Sequence, residues 1–188
     1  MLKHLAGLVP LWFCLVGTTG LAANARAAEV DIAHSRISIV FRAMAAPIEA
    51  QFKRFSAKID YDATKPETAK ATVVIDTGSL DLGDPEYNKV VVQKDWLDAA
   101  RYPSAHFNSG LVKVSPSKTL MVSGQLTIKG KTADLSIPVT VKTENGADIL
   151  EGKIPIRRLA FNLGAGEWSD TSVIADDVVI AFRLVLTK

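Results

Sequence analysis

The chain has 188 residues, 48% of them hydrophobic and 22% charged, with 22 Lys and Arg against 20 Asp and Glu. A single cysteine excludes an internal disulfide and a zinc site built on several thiolates. The near balance of charge leaves no electrostatic footprint for nucleic acid.

The first stretch reads as a secretory signal peptide. Lys3 precedes an apolar run from Leu5 to Leu21, and Ala25-Arg26-Ala27 supplies a small-residue cleavage site, with cleavage expected after Ala27. Pro10, Gly17 and Gly20 interrupt the run, which argues against a membrane anchor. Trp12 and Phe13 stand where a lipoprotein signal needs small residues, so Cys14 is expected to leave with the leader. Cleavage takes Lys3 and Arg26 from the basic residues and nothing from the acidic ones, leaving a neutral balance. The expected organisation is a signal peptide at 1–27 and one domain at 28–188, exported to the periplasm.

Period-two alternation dominates the remainder. In "RISIVFRA", Ile37, Ile39 and Phe41 share one face. In "FSAKIDY", Phe55, Ala57, Ile59 and Tyr61 alternate with Ser56, Lys58 and Asp60. "AKATVVID" follows, then a polar insert, then "AHFNSGLVKV", "TLMVSGQLTI" and "ADLSIPVTVKT". Gly130 and the Asn145-Gly146 pair mark hairpin turns, the second leading into "ILEGKIPI". "DDVVIAFRLVLT" closes the chain, with Val178, Ile180, Phe182, Leu184 and Leu186 on one face. About eight strands joined by short turns predict an all-β, antiparallel sheet that closes as a barrel or splits as a sandwich.

The insert "EYNKVVVQKDWLDAARYP" interrupts this pattern. Tyr87, Val90, Val91 and Lys94 fall at helical spacing, giving a mostly apolar stripe, and Trp96 and Leu97 follow. A short helix over 84–98 would either close a pocket as a lid or plug the core.

Chemistry-bearing residues are sparse. Past the leader only His34 and His106 remain. A Ser-His-Asp reading would recruit His34, Ser35 and Asp31, but adjacent residues in an extended chain point apart. Two histidines without H-x-x-x-H spacing do not make a zinc site, and Gly164-Ala165-Gly166 precedes "EWSD", which is no phosphate loop. Acidic pairs such as Asp60/Asp62 and Asp176/Asp177 fit turn chemistry. No metal, cofactor or catalytic group is expected. Large apolar residues spread over most strands fit either a packed core or a barrel that encloses a small ligand.

Five stretches, in order, resemble the YceI-like family of periplasmic lipid- and polyisoprenoid-binding proteins. They are "DIAHSRISIVFR", "FKRFSAKIDYD", "WLDAARYPSAHFNS", "GQLTIKGKTADLSIPVTV" and "IPIRRLAFNLGAGEWSDTSVIADDVVIAFRL". There are departures: Ala50 and Ala57 stand where the family has glycine, Met44 stands near a family histidine, and "PEYNKVVVQ" replaces an arginine- and histidine-bearing segment. The resemblance implies an eight-stranded antiparallel lipocalin-like β-barrel with a short helical insert and a long apolar pocket. It also implies a non-catalytic role: binding or carrying a long-tailed amphiphile such as a polyisoprenoid or isoprenoid quinone. Relatives often accompany membrane b-type cytochromes, which makes such a cytochrome a candidate partner.

On this reading the residues expected to line the tail are Ile39, Phe41, Phe52, Phe55, Val73 and Ile75, then Phe107, Leu126, Phe161 and Phe182, with Val91 and Trp96 near the insert. The competing expectations are a stress-related interaction barrel with a filled core, and a hydrolase or isomerase using His34 or His106.

Overall fold

The computed structural model describes residues 29–117 and 119–187, so the expected signal peptide lies outside the described residues. The elements run β1 (Glu29–Val30), β2 (Arg36–Ala43), β3 (Ala46–Phe52), β4 (Phe55–Asp60), β5 (Lys70–Asp76), β6 (Leu80–Asp81) and α1 (Pro85–Val91). They continue with β7 (Ser104–Val114), β8 (Leu120–Ile128), β9 (Lys131–Glu144), β10 (Ala147–Arg157) and β11 (Ile174–Thr187).

Every expected strand is present, and all pairings are antiparallel. The sheet follows the order β4-β5-β7-β8-β9-β10-β11-β2-β3-β6, with β1 added to β11. The first and last strands of that path are not paired with each other. The sheet therefore curls into a half-barrel. Along the seam β1 lies beside β4, and among the described residues no backbone bond crosses it. Bulges between Ser109 and Val112 and between Ile174 and Val178 sharpen the curl, because an extra residue on one strand bends it and adds twist.

The hairpins explain why β3 escapes a sequence reading. Lys129-Gly130 and Asn145-Gly146 both take positive φ at two successive residues, the twist-matched turn for a two-residue hairpin. Met44 and Ala45 do the same, at φ 47° and 65°, without a glycine or asparagine to announce it. Left-handed backbone at such residues costs roughly 1–2 kcal/mol each. Met44 N–H donates to the Val173 carbonyl at 2.7 Å and Arg42 Nη1 to the Ala45 carbonyl at 3.3 Å, holding the turn in place.

Alternation then decides the faces. Ile37, Ile59, Val73, Leu126, Ile137 and Val139 are all buried on the concave side. Burying such side chains stabilises the fold by about 1.5–3 kcal/mol each. Their neighbours along the strands, Ser56, Lys58, Thr72, Gln125 and Thr140, face solvent.

Candidate functional site

The concave side encloses an apolar cavity of about 100 Å³. Its walls come from β2, β4, β5 and every strand from β7 to β11, and the polar residues among them are Tyr61, Lys70 and Ser109. Ser109 Oγ is already engaged, accepting the Ala71 N–H at 2.7 Å. Tyr61 closes β4 at the rim, where burial, then the charges of Asp148 and Asp62, push its phenol pKa up. A neutral hydroxyl and an exposed lysine therefore sit where the apolar wall meets water.

Of the residues expected to contact a tail, Val73, Ile75, Phe107, Leu126 and Phe182 line this cavity. Ile39, Phe41, Phe52 and Phe55 share the concave face, each directly across from another concave residue: Ile180, Val178, Ile37 and Ile75. They lie toward the other end of the sheet and pack into the core without lining the cavity. Phe161 is buried in a 3-10 turn, Arg158–Phe161, between β10 and β11. Alternation reached the concave face for the eight on strands it had marked, while Phe52 lies on β3, which no alternation announced. It could not say where along each strand the packing thins. Ile59, Tyr61, Ile180 and Leu184 also line it, on faces the alternation had already marked.

The insert lies away from the cavity. None of its residues lines it. The expected apolar stripe on α1 is a correction: Tyr87 is 64% exposed and Val90 38%, and only Val91 packs inward. Polar bonds set this orientation. Asn88 turns to β6, accepting the Leu82 N–H at 2.7 Å and donating to Asp81 Oδ1 at 2.9 Å. Asp84 caps the first turn through the Glu86 and Tyr87 N–H groups, the standard service of an aspartate at this position.

Trp96 belongs to a second cluster. It packs tilted against Trp168, ring centroids 5.8 Å apart, and lies under the guanidinium of Arg158. Arg158 is only 1% exposed. Its Nε and both terminal nitrogens donate to five carbonyls, those of Leu163, Gly164, Trp168, Ile174 and Ala175, at 2.7–3.1 Å. That accounts for all five of its donors. Burial pushes its pKa down, and Asp176 opposes the shift. Any side chain at Gly164 would strike Arg158 Nη1 and the Trp96 ring. The arginine, glycine and tryptophan of "RLAFNLGAGEW" are thus a staple that fixes a loop. Every Arg158 donor is spent on the loop's carbonyls, while the buried Trp96 Nε1 has no hydrogen-bond partner.

Neither histidine assembles a catalytic set. His34 Nδ1 is 2.7 Å from Asp31 Oδ2, but Ser35 Oγ bonds backbone instead: it donates to the Asp31 carbonyl and accepts the Val185 N–H. The trio ties β1 and β2 to β11. His106 Nε2 meets Ser104 Oγ at 2.9 Å. Its cross-strand partners are Val74 and Thr127, which supply no carboxylate to orient the ring. Among the described residues no group of three His, Cys, Asp or Glu converges as metal ligands would.

A curled antiparallel sheet around an apolar cavity defines a lipocalin-like barrel. The chain belongs to the YceI-like family, whose domain model matches residues 29–186. It is 45% identical to Burkholderia cenocepacia BcnA, with a TM-score of 0.82 over 85% of this chain and all of that one. A polyisoprenoid binding domain from Saccharophagus degradans, implicated in plant cell wall breakdown, shares the fold at 17% identity and a TM-score of 0.68, over 85% of this chain and 97% of that one. A UPF0312 protein of Pseudomonas fluorescens is 41% identical over 118 residues, 61% of this chain and 57% of that protein. A second, from Pseudomonas savastanoi, is 40% identical over 109 residues, 57% of this chain and 53% of that protein. The chain thus matches little more than half the length of these two Pseudomonas proteins.

Proposed function

We propose that this protein binds and carries a long-tailed amphiphile, of the polyisoprenoid or isoprenoid quinone class, without catalysing a reaction. The observation that carries this reading is the cavity wall: twenty-one residues, nearly all apolar, converge on one space. The fold shared with a polyisoprenoid-binding domain supports the ligand class. The leader-like first 27 residues support a periplasmic setting in which a soluble shuttle for lipids has work between two membranes. A membrane b-type cytochrome is the partner this reading would favour if the cargo is a quinone.

The energetics are adequate. Each buried methylene contributes roughly 0.8 kcal/mol, so ten provide a large driving force before ordering is subtracted. Volume is the harder constraint. A cavity of about 150 Å³ holds one benzene, and the space here is about 100 Å³. A long tail therefore needs the barrel to widen. Ile37 on β2, Ile59 on β4 and Tyr61 just after it place the cavity beside the β1–β4 seam, where widening breaks no backbone ladder. The tail enters along that wall while its headgroup stays at the rim near Tyr61 and Lys70.

The test is to express the full chain, purify the exported form gently, and extract it with organic solvent for mass spectrometry. One isoprenoid or other lipid per protein is the expected result. An empty extract, together with no uptake of added quinones, would favour the filled interaction barrel instead. Measurable turnover lost on replacing His34 and His106 by alanine would favour the enzyme.

A further inference from the structure

Two glycines on the concave face sit beneath phenylalanine rings. Gly152 on β10 is directly opposite Phe182 on β11, and a Cβ placed on Gly152 would collide with the tip of that ring, meeting Cε1 at 2.7 Å. Gly124 on β8 stands diagonal to Phe107 on β7, whose direct partner is Leu126. A Cβ there would come within 2.6 Å of the Phe107 Cζ and equally close to the Asn108 backbone carbonyl oxygen. Both rings lean over a neighbouring strand toward β9, which pairs Gly124 with Leu135 and Gly152 with Val139. Both also line the cavity.

Side chains on a strand stand roughly perpendicular to the sheet, so two phenylalanines in this face would ordinarily project into the cavity. Here each folds down into the gap left by a missing side chain. Glycine inside a strand weakens it. Two of them on the concave face, each exchanged for room beside an aromatic ring, trade sheet stability for space. By contrast, Gly110 on β7 has only a carbonyl at 3.6 Å from its would-be Cβ, so it makes no such exchange.

We propose that Phe182 seated on Gly152, and Phe107 seated on Gly124 across β9, set the width of the tail channel and so act as specificity-determining positions for a methyl-branched tail over a straight one. This rests on the lipid-binding reading above. An isoprenoid carries a methyl at every fourth chain carbon and is wider than an acyl chain of equal length. Raising either ring off the wall narrows the channel and penalises the wider tail first.

The experiment compares geranylgeraniol with hexadecanol, which share a headgroup and main-chain length, by equilibrium dialysis against the full chain. In Gly152→Ala the affinity ratio should move roughly tenfold toward hexadecanol, the scale on which a pocket senses one methylene. Adding Phe182→Leu to Gly152→Ala frees the space again and should restore the ratio. Phe107→Leu thins the other wall and should move the ratio toward geranylgeraniol. Gly110→Ala should leave it unchanged. If the ring-on-glycine contact serves only to stabilise the sheet, Gly152→Ala lowers the melting temperature and leaves the ratio as in the parent, and the inference is wrong. A double variant that fails to restore the ratio, or a Gly110→Ala change of the same size, overturns it equally. Should the unaltered protein take up neither alcohol, the lipid-binding reading itself fails, a result separable from parental binding with an unmoved ratio.

Discussion

The two ends of the half-barrel are built on different principles. The end that carries the insert and the β10–β11 loop is fastened by directed polar bonds. Arg158 gathers five carbonyls, the Asp95 carbonyl accepts the N–H groups of Gly164 and Ala165, and Lys129 Nζ spans the carbonyls of Lys94 and Asn162. The cavity end is held by apolar contact and by one seam without a ladder. Hydrogen bonds have narrow geometric tolerance, whereas apolar packing can be exchanged for a ligand's own surface. On the proposed function, this division lets the cavity end admit a tail while the fastened end stays shut.

The largest expected effect tests the fastened end. Arg158→Leu removes every donor from five carbonyls that converge in a buried site. Leaving such groups without partners should lower stability by roughly 3–5 kcal/mol, read from denaturant unfolding. A loss below about 1 kcal/mol would mean that the loop holds itself and that the polar end is no more rigid than the other.

A smaller change separates plug from lid. Asp84→Ala removes the cap of α1 and should cost about 1 kcal/mol. Lipid content of the purified protein should stay at the parental level, since no insert residue lines the cavity. A clear fall in lipid content with the fold intact would make the insert a lid and dissolve the contrast between the ends.

The same division explains what the sequence discloses. The eight long strands and the inward faces of Phe41, Val73, Phe107 and Phe182 follow from alternation, because one wet and one dry face impose a period of two. β3 is hidden by a turn of Met44 and Ala45, whose left-handed backbone no local residue preference announces. The direction of α1 is misread because helical spacing alone picks Tyr87 and Val90, while Asn88 wins the inward side through bonds back to Asp81 and Leu82. Trp96 and Phe161 look like tail contacts in any list of aromatics. Only the tertiary position of Arg158 shows that Trp96 supports a guanidinium. Where packing thins into a cavity depends on how eleven strands curl, and no single segment encodes that.

Acid gives the smallest and most discriminating comparison. At the cavity end, the His34 side chain holds the Asp31 carboxyl below its ordinary 3.8, and the Thr64 hydroxyl does the same for Asp62. At the fastened end, Asn88 lowers Asp81 and Ser172 lowers Asp170. A carboxyl lowered on folding adds stability that is present above its unfolded value of 3.8 and is lost as pH falls through the folded value. All four lie at the surface, Asp31 and Asp81 half-buried and Asp62 and Asp170 exposed, so the total effect is modest. Its distribution is unequal. Asp31 anchors the turn between β1 and β2 beside the open seam, where little else resists, while the five Arg158 bonds at the fastened end do not titrate in this range. Hydrogen exchange followed downward from neutral pH, corrected for its intrinsic pH dependence, should show β1 and β4 losing protection first as pH drops below 3.8. The amides of Gly164 and Ala165, bonded to the Asp95 carbonyl, should hold until global unfolding. Simultaneous loss at both ends would show the half-barrel opening as one cooperative unit, leaving no separate compliance at the seam for a tail to exploit.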